Sequence, residues 1–126
     1  MNLFIILKIV SIVIICGHWF DFWLMITPGT LKQHGEFGIL EIGSFFLKHL
    51  DQFKNNSSRK YSLISYLNND WQTQDGGELL IHQSPNNQMI SPTQGKTVLF
   101  KSNELFHEVL VTNKTRMSIT GWLKGS

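Results

Sequence analysis

Arg59-Lys60-Tyr61-Ser62-Leu63-Ile64-Ser65-Tyr66-Leu67-Asn68-Asn69-Asp70-Trp71 is the stretch from which the fold is read. Tyr61 to Leu67 alternates in the manner of a half-buried strand, because successive strand side chains point to opposite faces. Asn68 to Gly77 then reads as a long turn, rich in residues that bond their own backbone or tolerate unusual dihedrals. Working outward, Glu78 to Gln83 is a strand, Ser84-Pro85-Asn86-Asn87 a turn, Gln88 to Ser91 a short strand and Pro92 to Gly95 another turn. Lys96 to Lys101, His107 to Thr112 and Arg116 to Leu123 complete the set, and on the other side Lys54 to Lys60 is a polar loop. Short strands broken by frequent turns, with little helix, predict a mainly β chain folded as a sandwich or barrel.

Three side chains flanking this stretch suggest metal chemistry. His49 and Asp51 are two apart, so at a strand end both point to one side and can reach a single ion. A third ligand must come from another strand, and His107 is the candidate. Two imidazoles and a carboxylate on one face of ferrous iron leave the remaining coordination positions open. Arg116, nine residues after His107, offers a permanently charged planar fork that can pair with the far carboxylate of a bidentate acid such as 2-oxoglutarate. Ser118 faces the same way as Arg116 and adds a hydroxyl donor. Taken singly, His49 with Asp51 is a surface histidine beside an acid, and His107 an ordinary strand residue; the conjunction is what points to a site. His82 reads as an outward strand tip, and His34 has no assigned role.

The residues Asp51-Gln52-Phe53, Arg59 through Trp71, Asp75-Gly76-Gly77-Glu78-Leu79, Leu99-Phe100-Lys101-Ser102, His107-Glu108-Val109 and Arg116-Met117-Ser118-Ile119-Thr120-Gly121-Trp122 together resemble the prolyl 4-hydroxylase type of 2-oxoglutarate- and Fe(II)-dependent dioxygenase. The resemblance covers roughly residues 44 to 126. It implies a double-stranded β-helix, or jelly roll, in which Ser44 to His49 looks like the strand delivering the first ligand. It implies Fe(II) on His49, Asp51 and His107, the catalytic set. Arg116, Ser118 and Tyr66 would hold 2-oxoglutarate, with core packing as the competing reading of Tyr66. Trp122 would pack the barrel end, while Asn68 and Trp71 read as turn residues, with shaping of the site's rim as the competing role. Dioxygen, a prolyl, peptidyl or small-molecule C–H substrate, release of succinate and CO2, and ascorbate as an accessory reductant come with the same resemblance. The family ordinarily has helices and at least one strand before the His-x-Asp segment, so the jelly roll is expected to be truncated at its N-terminal side, with a sheet edge uncovered. The rival readings are an inert truncated or chimeric fragment, or a membrane-tethered binding module.

The front of the chain has another character. Leu3 to Ile26 is strongly apolar, interrupted by Lys8, Ser11, His18 and Asp21, and as a helix it is long enough to cross a hydrocarbon layer about 30 Å thick. A signal peptide is the rival, but Lys8 lies inside the apolar run and no small-x-small site follows. Pro28-Gly29 breaks that helix, Lys32 to Glu36 reads as a polar connection, and Phe37 to Gly43 is apolar again. Residues 18–43 faintly resemble a helix pair of a polytopic quinol-oxidising membrane subunit, with no redox role expected here. The expected organisation is a hydrophobic helical segment over residues 1–43, transmembrane or foreign, and a partial dioxygenase domain over residues 44–126.

Charge follows the same division. Residues 1–43 hold two basic and three acidic side chains, net −1, and residues 44–126 nine basic and six acidic, net +3. Neither balance suits a nucleic-acid binder. The 126 residues suffice for one domain, and a single cysteine, Cys16, permits no intrachain disulfide. The catalytic half is therefore expected to be cytoplasmic, attached to a membrane if residues 3–26 span one.

Overall fold

A computed structural model describes residues 5–8 and 31–125. Among the described residues nine strands run in the order β1 (Ile5–Lys8), β2 (Leu31–Leu40), β3 (Phe46–His49), β4 (Arg59–Tyr66), β5 (Leu79–His82), β6 (Gln88–Ile90), β7 (Lys96–Lys101), β8 (Phe106–Val109) and β9 (Arg116–Gly125), with one 3-10 turn at Thr73–Asp75. They form a five-stranded sheet, β1-β7-β4-β9-β2, and a four-stranded sheet, β3-β8-β5-β6. All the pairings are antiparallel. Two such sheets face to face are the double-stranded β-helix.

The core lies between the layers because alternate residues of each strand point inward. Ile64 and Tyr66 of β4, Val98 and Phe100 of β7, Leu79 and Ile81 of β5, Ile90 of β6 and Val109 of β8 form one buried cluster. Burying each of these side chains contributes about 1.5–3 kcal/mol of hydrophobic free energy. The inner face also carries polar groups that a purely structural core would avoid. Ser62, Ser102, His107, Arg116 and Ser118 are buried beside the apolar cluster.

The strands read from the sequence between residues 59 and 125 are present, with ends shifted by one to three residues, and β7 keeps the expected bounds. One element before residue 43 differs from the expected layout. Leu31–Leu40, expected as a polar connection followed by an apolar segment, is a ten-residue strand. It pairs with β9 from Leu31↔Gly125 to Leu40↔Arg116. The β-sandwich therefore extends back across the expected seam at residue 43. Gly43 sits instead in the turn joining β2 to β3, at φ +86°, with its N–H donating to the Thr112 carbonyl at 2.7 Å. Lys32-Gln33-His34-Gly35-Glu36 has no strand signature of its own. Its pairing is set by a partner about ninety residues away, from Lys32↔Lys124 to Glu36↔Thr120, and tertiary context of that kind overrides local propensity.

Within the apolar run Leu3 to Ile26, Ile5–Lys8 is not helical but a strand paired with β7. The remainder of the expected spanning helix, including His18 and Asp21, lies outside the described residues. Among the described residues no helix is long and apolar enough to cross a membrane. β1 and β2 flank β7 and β9 as the outer strands of the five-stranded sheet.

Candidate active site

His49 and His107 are directly opposite one another across the β3–β8 ladder. Cross-strand partners on one face hold their side chains close, and the two imidazole rings lie 4.4 Å apart between centroids. Asp51, two residues beyond His49, reaches the same point. Its Oδ1 is 3.3 Å from His49 Nε2 and 3.3 Å from His107 Nε2. One ligand atom from each of the three residues falls within 4.8 Å of the other two, a grouping that could hold a metal ion.

The chain fixes which atoms face that point. His49 Nδ1 lies 2.6 Å from the Leu47 carbonyl, and His107 Nδ1 lies 3.1 Å from the Leu105 carbonyl. Each ring thus donates its Nδ1 proton to the carbonyl two residues earlier. The Nε2 atoms are left facing Asp51 Oδ1, the ring nitrogens that would ligate a metal ion once free of their protons. Phe100 packs against the buried ring, the two centroids 4.7 Å apart and the planes inclined at 63°.

Asp51 is held from the opposite sheet. Its Oδ2 accepts from Ser62 Oγ at 2.5 Å and from Trp122 Nε1 at 3.0 Å. Ser62 Oγ is in turn 2.8 Å from Ser102 Oγ. With Oδ2 occupied by two donors, Oδ1 alone faces the histidines. Burial by itself would raise the Asp51 carboxyl, but the hydrogen bond and charge of His107, with the donors Ser62 and Trp122, outweigh it and hold the group well below the usual carboxylate range. Asp51 is therefore an anion at neutral pH.

A second polar cluster lies further along the inner face of the five-stranded sheet. Tyr66 and Ser118 are direct partners on β4 and β9, and Arg116 is two residues before Ser118 on the same side. Arg116 Nε donates to the Gly77 carbonyl at 2.9 Å, and the guanidinium carbon is 5.0 Å from the Tyr66 ring centroid. Arg116 Nη2 and Tyr66 Oη are buried without a hydrogen-bond partner. Burial pushes the Tyr66 phenol up to about 12, with the Arg116 charge opposing it, so the phenol stays a donor at neutral pH. Burial likewise lowers the Arg116 pKa, opposed by Tyr66. Buried native donors are nearly always satisfied, so two adjacent orphans mark a place built for an acceptor. Ser62, which holds Asp51, and Tyr66 are four residues apart on β4, roughly 13 Å at strand rise.

Gly77 explains part of the Gly-Gly-Glu-Leu signature. It has φ +67°, and a Cβ there would lie 3.0 Å from Thr112 Oγ1 and 3.1 Å from Arg116 Cδ. Only glycine offers that conformation freely and lets the arginine lie across the backbone.

All six residues nominated from the sequence are thus placed: His49, Asp51 and His107 in one cluster, Arg116, Ser118 and Tyr66 in the other. Trp122, expected as a barrel-end packing residue, instead donates to Asp51. Ser62 and Ser102 were missed altogether. A serine at the inward parity of Ile64 and Tyr66 was the available signal, since a polar group inside a core needs a partner. His82 pairs with Glu108, Nε2 to Oε1 at 2.8 Å, and takes no part. Asn68 is structural: its amide donates to the Pro92 and Met117 carbonyls, and its oxygen accepts from Met117 N–H. Trp71 donates to the Gly76 carbonyl at 2.9 Å.

A family model described as the 2OG-Fe(II) oxygenase superfamily matches residues 36–124. Among solved structures the chain is similar to a prolyl-4-hydroxylase from Pseudomonas putida, at 35% identity and a TM-score of 0.74, covering 77% of this chain and 54% of that one. It is similar to a prolyl 4-hydroxylase from Phytophthora capsici at 27% identity and a TM-score of 0.65, covering 77% of this chain and 35% of that one. A prolyl hydroxylase from Trichoplax adhaerens, solved with a hypoxia inducible factor oxygen degradation domain peptide fragment, matches at 25% identity and a TM-score of 0.70, covering 75% of this chain and 46% of that one. The chain spans about half, or less, of the length of these relatives.

Proposed function

We propose, since this chain belongs to the 2OG-Fe(II) oxygenase superfamily, that it hydroxylates a C–H bond of a prolyl or other peptidyl substrate, with a small molecule as the alternative substrate class. The observation that carries the proposal is the convergence of His49, Asp51 and His107 around one point, beside the buried and partnerless Arg116 Nη2 and Tyr66 Oη.

The donor set fits the family's cofactors. Two imidazole nitrogens and one carboxylate oxygen on one side suit ferrous iron and leave sites for a chelating co-substrate and dioxygen. The orphan guanidinium nitrogen and phenol, with the Ser118 hydroxyl, suit the distal carboxylate of 2-oxoglutarate. When bound, iron, 2-oxoglutarate and dioxygen supply the oxidising chemistry that releases succinate and CO2 and oxygenates the substrate, and ascorbate belongs to the proposal as an accessory reductant.

The chain's own work is placement. Leu47 and Leu105 carbonyls orient the two rings, and Ser62 and Trp122 hold one carboxylate oxygen so that the other is presented. Arg116 neutralises the co-substrate's charge inside the sandwich, where a paired charge interacts more strongly than in water. The approach for substrate is from the His49 side, since that side chain is 43% exposed while those of Asp51 and His107 are 9% and 4%. A peptide as substrate is supported by the Trichoplax relative, which was solved with one.

The test is succinate release by the purified chain with Fe(II), 2-oxoglutarate and proline-containing peptides, alongside His107→Ala. The reading predicts succinate together with a peptide product one oxygen heavier, both lost in the variant. Equal succinate from His107→Ala and the parent chain, or none from either, would overturn it.

A further inference from the structure

Arg59 is the first residue of β4 and stands outside both polar clusters, yet three contacts tie it to Asp51. Its Nη1 donates to the Asp51 main-chain carbonyl at 3.2 Å. Its guanidinium carbon lies 3.9 Å from the Trp122 ring centroid and 4.7 Å from the Phe53 ring centroid. Trp122 in turn donates its indole proton to Asp51 Oδ2. One side chain thus grips Asp51 through its backbone and, through Trp122, at its carboxylate.

The loop between them is closed around the same residue. Gln52 Nε2 donates to the Arg59 carbonyl at 2.9 Å and to the Ser57 carbonyl at 3.0 Å, while Gln52 N–H donates to the Ser102 carbonyl at 3.1 Å. Arginine suits this place better than lysine. Its planar cation can lie against aromatic rings while a nitrogen at its rim still donates in plane.

We infer that Arg59 is a positioning residue for the metal site, fixing the direction in which Asp51 presents Oδ1 by clamping both the Asp51 backbone and the Trp122 indole. The inference rests on the proposed ligand role of His49, Asp51 and His107. Residues that orient a ligand from outside the coordination sphere typically change metal affinity by about 10- to 100-fold when removed. A surface cation without such a role would leave it unchanged.

The experiment titrates Mn(II) into the full chain by calorimetry and follows the visible absorption of bound Co(II), which reports ligand geometry. Arg59→Met should weaken Mn(II) by about tenfold or more and alter the Co(II) bands. Arg59→Lys should recover little of either, because charge alone restores neither the stack nor the in-plane donor. Wild-type affinity and an unaltered Co(II) spectrum in both variants would overturn the inference, as would full recovery in Arg59→Lys. If Arg59→Met does not fold by circular dichroism, the Arg59→Lys titration decides alone. His107→Ala separates the two levels of argument. Loss of Mn(II) in His107→Ala with intact Arg59 variants rejects only the role of Arg59, whereas Mn(II) binding unaffected by His107→Ala removes the ligand assignment and this inference with it.

Discussion

Replacing Arg116 with methionine should separate the stability of the protein from its affinity for co-substrate. In the free protein the guanidinium makes one hydrogen bond, to the Gly77 carbonyl, while Nη2 is buried without a partner. Removing the side chain leaves that carbonyl unsatisfied, at about 1–3 kcal/mol, but also removes an unsatisfied donor whose cost falls in the same range. The two nearly cancel, so Arg116→Met should unfold within a few degrees of the parent. Binding of 2-oxoglutarate is another matter. Two charge-assisted hydrogen bonds at about 1.5–3 kcal/mol each make about 3–6 kcal/mol, or roughly 10²- to 10⁴-fold in affinity. With Mn(II) in place of iron to prevent turnover, 2-oxoglutarate at a hundred times its dissociation constant adds about 2.7 kcal/mol of stability. For a domain near 100 residues that raises the melting temperature by roughly 10–20 °C. Thermal denaturation with and without the acid is therefore the assay. The parent should show the rise, and Arg116→Met should show almost none from a similar baseline. A rise in the variant within two or three degrees of the parent's would refute the clamp.

Three further outcomes follow from the same geometry. Gly77→Ala puts a Cβ near 3 Å from both Thr112 Oγ1 and Arg116 Cδ at a positive φ; it should destabilise by about 1–3 kcal/mol in urea and also weaken 2-oxoglutarate, and a shift below about 0.5 kcal/mol would contradict the close approach. Phe100, wholly buried against the His107 ring, should cost about 3–5 kcal/mol as Phe100→Ala but under about 1.5 kcal/mol as Phe100→Leu, and equal urea midpoints for the two would show the site to be elastic. β3 is an edge strand whose four residues are all exposed; Mn(II) should slow hydrogen exchange at its amides more than at those of β7, and equal slowing would show that the ion does not pin β3.

What the sequence made legible was local. Turn chemistry between Asn68 and Gly95 delimits β5, β6 and β7 because Gly, Pro, Asn and Asp act within a few residues of where they stand. Strand parity likewise places His49 with Asp51, and Arg116 with Ser118, on common sides, whereas Tyr66 came from the family resemblance and His107 from the conjunction of motifs. β2 was not legible, since its Lys32-to-Glu36 portion is polar and its strand character comes from pairing with β9. Trp122 and Ser62 were invisible as partners of Asp51 because the contact joins residues 71 and 11 apart in the chain across two sheets. An indole or a hydroxyl in a strand declares that it needs an acceptor, but not which one.

That division between layers bears on how the site and the fold depend on each other. The histidines belong to β3 and β8 of the smaller sheet, and the residues that hold Asp51 belong to β4 and β9 of the larger one. Asp51 lies on the connection that leaves β3 for β4, so its carboxylate is the bridge: Oδ1 faces one sheet and Oδ2 is bonded to the other. A cation bound by all three ligands would join the two sheets at β3, which among the described residues has β8 as its single strand neighbour. Metal affinity then includes the free energy of holding that edge strand in place, as expected wherever a site forms fully only in the folded state. The same coupling accounts for the polar inner face, since Ser62 and Ser102 occupy core volume that apolar side chains could fill and in return fix one oxygen of the bridging carboxylate.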